Sequence, residues 1–211
     1  MFRKSAKSEK RIKRMKKPLD NRAKDLIFRE ARSHSRWANE DVSDQTLKEI
    51  VELMKWGATS ANCWPMRLVF VKSAEAKARL KPHIDEFNVE KVLTAPVVAI
   101  IAYDSKFFDR IPEFFPHNPE AREWFANDQD LAFETAFRNS TLQGAYLMIA
   151  ARALGLDCGP MSGFDQAGVN KEFFPDGQYR ANFICALGVG TNELLFPRSP
   201  RPAFETVAEI I

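Results

Sequence analysis

Apolar residues recur along the chain in two rhythms, and the stretches where both lapse hold its unusual polar groups. Leu47, Ile50, Val51 and Met54 follow the i, i+3, i+4, i+7 spacing of an amphipathic helix. Ser43 or Asp44 can cap that helix and Gly57 can stop it. Asn21–Arg32 reads as an earlier helix, followed by the polar loop Ser33 to Trp37. A helix over 74–87 would place Leu80, Ile84 and Phe87 on one face. The longest helical segment runs from Asp128 to Leu154, with Leu131, Leu142, Ala145, Tyr146, Ile149, Ala150 and Ala153 marking its buried face. Asp165 opens another helix.

Strands are fewer. Leu68 to Val71 is short, and Ala95 to Tyr103 is continuously apolar and rich in Val and Ile, the pattern of a strand covered on both faces. Phe183 to Gly188 forms a last buried strand. Residues 107–125 are dense in aromatics and prolines and read as an excursion over the surface, forming a pocket wall. The ending, 195–211, is expected to run across a neighbour. Helices with few buried strands and no regular βαβ alternation predict an α+β fold with no internal repeat.

Composition changes this picture at one end. The 211 residues suit one domain with an appendage, and such a core needs no disulfide or metal staple. The net charge of +3 hides an asymmetry. Residues 1–24 carry eleven Lys or Arg against two acids, so the rest of the chain is acidic. The expected division is a basic, disordered extension over 1–22 and a folded domain over 23–211. The extension is the one place where nucleic acid or an anionic surface is a candidate partner. Cys63, Cys158 and Cys185 form no CxxC pair, which suits a reducing, cytoplasmic setting. The longest apolar run, Ala95 to Ala102, is far below the ~20 residues that span a bilayer.

Several chemistries have no carrier. There is no GxGxxG, no GxxxxGK[ST], no HExxH and no GxSxG. His34, His83 and His117 have no ligand spacing, so no metal is expected. What remains is a set of polar loops that a core does not need. Arg32, Ser33, Ser35 and Arg36 make a small anion site that Arg198 and Arg201 can complete. In the stretch 57–67, Ser60 and Asn62 offer groups that meet ring carbonyls and NH groups. Asn88 and Lys91 lie three apart, hence on one helical face, and a fixed ammonium there stabilises negative charge on a bound ring. The Gly159–Gly163 loop can bring backbone close to a ligand.

These loops, in this order, resemble the FMN-dependent nitroreductase superfamily. The likeness rests on Arg32-Ser33 with Arg36, Thr59-Ser60-Ala61-Asn62 with Pro65, Phe87-Asn88 with Lys91, Gly159-Pro160-Met161-Ser162-Gly163-Phe164, and Arg198 with Arg201. It covers about 23–211. Within the superfamily the chain is similar to the malonic semialdehyde reductase branch of pyrimidine degradation, through Met54-Lys55-Trp56-Gly57, Leu93-Thr94-Ala95-Pro96 and Glu134 to Ser140.

The resemblance implies a mostly antiparallel sheet surrounded by helices, an intertwined homodimer, and FMN bound at its interface. NADH or NADPH would deliver hydride. Arg32, Ser33, Ser35, Arg198 and Arg201 would hold the phosphate. Ser60 and Asn62 would reach the flavin from the partner subunit, and Asn88 and Lys91 would meet its pyrimidine edge. Backbone at Pro160, Met161, Ser162 and Gly163 would approach N5. The acceptor implied is 3-oxopropanoate, reduced to 3-hydroxypropanoate, with nitro compounds or quinones as the enzymatic alternative. A flavin-binding, nucleic-acid-associated protein is the non-enzymatic one. Ala31 stands where many members carry a second basic residue. Trp64 either narrows the mouth of the pocket or packs, and Arg67, Arg110 and Arg138 are candidate partners for a substrate carboxylate.

Overall fold

The computed structural model describes residues 17–211. Most of the basic extension, and with it the expected nucleic-acid contact, therefore lies outside the described residues. Among the described residues the first element is helix α1, Asn21–Lys24, which continues as a π-turn over Asp25–Arg29. This ends short of the expected Arg32, because the backbone next leaves the helix and Ser33 bridges to Cys158. Helix α2 spans Asp44–Met54, and Ser43 caps it by accepting the Thr46 N–H at 3.0 Å. Removing such a cap costs about 1 kcal/mol. Ser43→Ala should therefore lower the melting temperature by roughly 2–4 °C, and an unchanged calorimetric melt would show that the cap contributes nothing.

Four antiparallel strands follow in the order β1-β2-β4-β3, where β1 is Met66–Val71, β2 Val97–Asp104, β3 Asp157–Met161 and β4 Tyr179–Gly188. The buried centre is β2 and β4. Alternate residues of β2 feed two cores. Val98 and Ile100 join Leu80, Val92, Val169 and Phe174 on one face, while Val97, Ala99 and Ile101 join Leu47, Ile50, Met54 and Leu147 on the other. Period-2 alternation thus explains why this strand reads as continuously apolar.

Several expectations are corrected. The helix expected over 74–87 is two helices, α3 (Ala74–Leu80) and α4 (Glu86–Thr94). Pro82 lacks an N–H and Ile84 is extended, pairing with Phe164. Phe87 consequently leaves the shared face and is 82% exposed. Strand β2 starts after Pro96 rather than at Ala95, and β1 and β4 begin earlier than expected. The segment 107–125 contains short helices α5 (Ile111–Phe114) and α6 (Arg122–Ala126). It is not only a surface excursion, since Phe107, Ile111 and Phe125 build a third core with Cys63 and Tyr103.

The long helix α7, Gln129–Ala153, turns a different face inward than its large apolar residues suggest. Thr135, Asn139, Ser140, Gln143, Leu147 and Ala151 are buried, whereas Leu131, Leu142 and Tyr146 are exposed in the single chain. The Gly159–Gly163 stretch is half strand. Residues 159–161 belong to β3, where Pro160 is tolerated because β3 is an edge. After helix α8, Gln166–Phe173, and β4, the chain ends in a mostly irregular segment with one short helix, α9, Phe204–Val207. Its first part lies on this same chain, with Arg198 donating to the Ala31 carbonyl at 3.0 Å, and residues 201–211 are exposed.

Candidate functional site

The segment after α1 is laid along the edge strand. The His34 N–H donates to the Cys158 carbonyl at 3.0 Å, Ala38 N–H to Val189 at 2.8 Å and Thr191 N–H to Arg36 at 3.0 Å. The His34 ring is buried beneath, with Nδ1 3.0 Å from the Thr191 carbonyl and Nε2 3.4 Å from Asp157 Oδ1. These bonds hold Ser33 and Ser35 against β3. The returning C-terminal segment closes the other side, where Arg32 donates to the Phe196 carbonyl.

The result is a cavity of about 380 Å³ lined by Arg32, Ser33, Ser35, Arg198 and Arg201, the five residues that the resemblance assigns to a phosphate. Among the described residues no carboxylate side chain lines it. A fourth arginine, Arg152 in the last turn of α7, lines it as well and was not anticipated. The only hint in the sequence is a lone arginine among alanines at a helix end, where it reads as a partner for the helix dipole. Arg36, grouped with these residues in the sequence, turns away to Glu90 at 2.5 Å and Glu193 at 3.7 Å.

A second group adjoins the first along β3. Lys91 of α4 is 7% exposed, and burial pushes its pKa down. Its ammonium donates to the Pro160 carbonyl at 3.3 Å, and no carboxylate pairs with it among the described residues. Burying a charged group costs free energy unless it is paired, so this lysine is poised to accept an electron-rich partner. One turn earlier, Asn88 Nδ2 donates to the Gly163 carbonyl at 3.2 Å. The approach is close because glycines allow it. A Cβ at Gly159 would stand 2.5 Å from both the His34 carbonyl oxygen and Lys91 Cε. Gly159 is thus the joint between the arginine cavity and the lysine edge. Met161 is buried and Ser162 exposed just beyond.

The remaining predicted residues lie elsewhere. In the loop after α2, Ala61, Asn62 and Trp64 have φ of 48°, 48° and 44°. Left-handed backbone at non-glycine residues is costly and persists only where surroundings impose it. Here α7 imposes it from below. Asn139 Oδ1 accepts the Ser60 N–H at 2.8 Å, and Gln143 Oε1 accepts the Met66 N–H at 3.0 Å. Asn62 Nδ2 donates to the Phe114 carbonyl at 2.8 Å. Ser60 and Asn62 therefore sit on the α7 side of the sheet, whereas Asn88 and Lys91 come from the opposite side.

Trp64 and Arg67 share a different cavity of about 340 Å³ with Lys106, Arg110 and Tyr179, and Asp104 and Asp109 line it as well. The Arg67 guanidinium lies 5.1 Å over the Tyr179 ring. Of the other carboxylate-binding candidates, Arg110 pairs with Glu113 at 3.1 Å, and Arg138 pairs with Glu134.

Comparison with known proteins matches residues 28–191 to the Nitroreductase family. A relative from Ralstonia pickettii, HadB, named for NADH dehydrogenase/NAD(P)H nitroreductase activity, is 56% identical over 181 residues, covering 85% of this chain and 92% of its own. A relative with the same naming from Cupriavidus pinatubonensis is 51% identical over 192 residues, covering 90% and 98%. Among solved structures, ydfN of Bacillus subtilis superposes with a TM-score of 0.81 at 21% identity, over 88% of this chain and 97% of that one. An Exiguobacterium sibiricum protein crystallised with FMN gives 0.80 at 20% identity, over 93% and 99%.

Proposed function

Because the chain belongs to the nitroreductase family, we propose that it is an FMN-dependent oxidoreductase moving hydride from NADH or NADPH to a small acceptor. The observation that carries this reading is the arginine cavity joined at Gly159 to a buried, unpaired lysine. A phosphate monoester carries up to two negative charges, and the cavity offers guanidinium and hydroxyl donors with no carboxylate among the described residues to compete. The residues therefore fit FMN. When bound, the flavin supplies the hydride-accepting ring, and the protein supplies position and electrostatics.

In this reading Arg32, Ser33, Ser35, Arg198 and Arg201 bind the phosphate. Asn88 and Lys91 face the polar edge of the ring, and the Lys91 ammonium stabilises negative charge there. The backbone of Pro160 to Gly163 lies alongside, with Gly159 and Gly163 keeping side chains out of the way. Ser60 and Asn62 complete the site from a second copy of the chain. The exposed apolar face of α7, with Leu131, Leu142 and Tyr146, supports that assembly, since such a patch on a monomer marks an interface. Sedimentation of the purified protein as a monomer would remove this dimer.

For the acceptor, the resemblance in the sequence supports 3-oxopropanoate, with Arg67 in the Trp64–Arg67 cavity as the partner for its carboxylate. The names of the two relatives support a nitro compound, from the second reading of a nitro compound or quinone. One experiment orders these. The purified protein should be yellow with a flavin spectrum, bleach with NADH or NADPH, and recover its colour with the true acceptor. Recovery with a nitroarene or quinone but not with 3-oxopropanoate would remove the semialdehyde assignment. A colourless protein that takes up no FMN would remove the whole reading.

A further inference from the structure

We propose that Arg152 is a direct ligand of the cofactor's phosphate, an inference that rests on the assignment of the arginine cavity to FMN. Arg152 lines that cavity from the C-terminal turn of α7. A guanidinium has five N–H donors and no acceptor. One of them, at Nη1, reaches the Ile27 carbonyl at 3.2 Å. Its Nε is buried and has no hydrogen-bond partner. No carboxylate neutralises the group among the described residues. A buried donor without a partner costs free energy until something accepts from it, and an anion in the adjoining cavity is what would relieve that cost.

The origin of the side chain adds to the argument. Arg198 and Arg201 are exposed and stand on the irregular C-terminal segment, where they spend donors on the carbonyls of Ala31, Ser199 and Pro200. Arg32 spends one on Phe196. Arg152 instead projects from a helix of 25 residues that packs against the sheet. A ligand on a rigid element loses less freedom on binding, so its contact with phosphate is preorganised. The competing role is structural. A cation in a last helical turn complements the dipole, and the bond to Ile27 ties α7 to the π-turn after α1.

Riboflavin separates the two roles, because it is FMN without the phosphate. The full-length chain, stripped of flavin, is titrated with FMN and with riboflavin by fluorescence. Arg152→Met should weaken FMN binding about 10- to 100-fold, the range of one charge-assisted contact, with riboflavin affinity unchanged. Arg152→Lys should recover part of the loss, since it restores charge without the fork. An equal loss for both ligands, or none for either, overturns the proposal. Arg32→Met and Arg201→Met run in parallel. If they lower the FMN-to-riboflavin ratio and Arg152→Met does not, Arg152 alone is excluded. If none of the three lowers it, the assignment of the cavity falls instead. Should Arg152→Met fail to fold, Arg152→Lys decides, and an unchanged ratio in that variant overturns the proposal.

Discussion

Replacing Asn139 by leucine will lower stability by roughly 2–4 kcal/mol and release the loop after α2. The side chain is 0% exposed, and both ends of its amide are used. Oδ1 accepts the Ser60 N–H at 2.8 Å, while Nδ2 donates to the Thr135 carbonyl at 2.8 Å. Leucine fills nearly the same volume, so little of the effect comes from a cavity. What it removes is the acceptor for a backbone donor in a loop whose next residues are already in costly left-handed conformations. For a chain of this size the loss corresponds to a melting temperature lower by roughly 5–15 °C. Hydrogen exchange should quicken at residues 59–64 beyond what global destabilisation explains. A melt within about 1 °C of wild type would mean the loop holds itself.

Asn139 also shows where the sequence is readable and where it is not. The periodicity of Leu47, Ile50, Val51 and Met54 placed α2 correctly, because that helix buries a single apolar stripe against one sheet face. Helix α7 defeats the same reasoning. Its inward face carries Asn139 and Gln143, whose partners are backbone groups of a loop nearly eighty positions away, with Thr135 buried beside them. Hydrophobic periodicity has no term for a polar side chain buried to satisfy a distant backbone. The large apolar residues on its other face, which the sequence places at the centre of a domain or dimer, stay exposed in the single chain.

Strand β3 was hidden for another reason. Gly159-Pro160 reads as the start of a loop, yet an edge strand tolerates a missing N–H on its free side. Arg32, Ser33 and Ser35 were legible as a polar cluster in a short segment with no packing role, and the structure brings them to one cavity with Arg198 and Arg201. Arg152 was not, because its position becomes meaningful only when α7, β3 and the C-terminal segment are brought together.

Lys91→Met will set stability and function against each other. In the flavin-free chain the substitution should leave thermal stability unchanged or raise it, since methionine retains the apolar stem and deletes a charge that is buried without a carboxylate. The pH dependence gives a signature. Desolvation holds the folded pKa below the unfolded value of about 10.4. Between those two values the unfolded chain binds the extra proton, so stability rises with pH across that window. Below the folded pKa the penalty is present in full. Lys91→Met should abolish this rise, whereas wild type should show it once other groups titrating in that range are subtracted using the variant as reference.

Function should move the other way. A fixed cation beside an edge where negative charge gathers is worth on the order of 100-fold in rate when removed. Bleaching of the flavin absorbance by NADH or NADPH in a stopped-flow instrument should slow by about that factor. The comparison is made with FMN saturating, so that weaker binding does not enter. An unchanged bleaching rate together with raised stability would leave Lys91 as an ordinary buried charge with no part in the chemistry. Slowed bleaching with raised stability is the expected pair, because a group kept at the expense of the fold has to be kept for something the fold does not need.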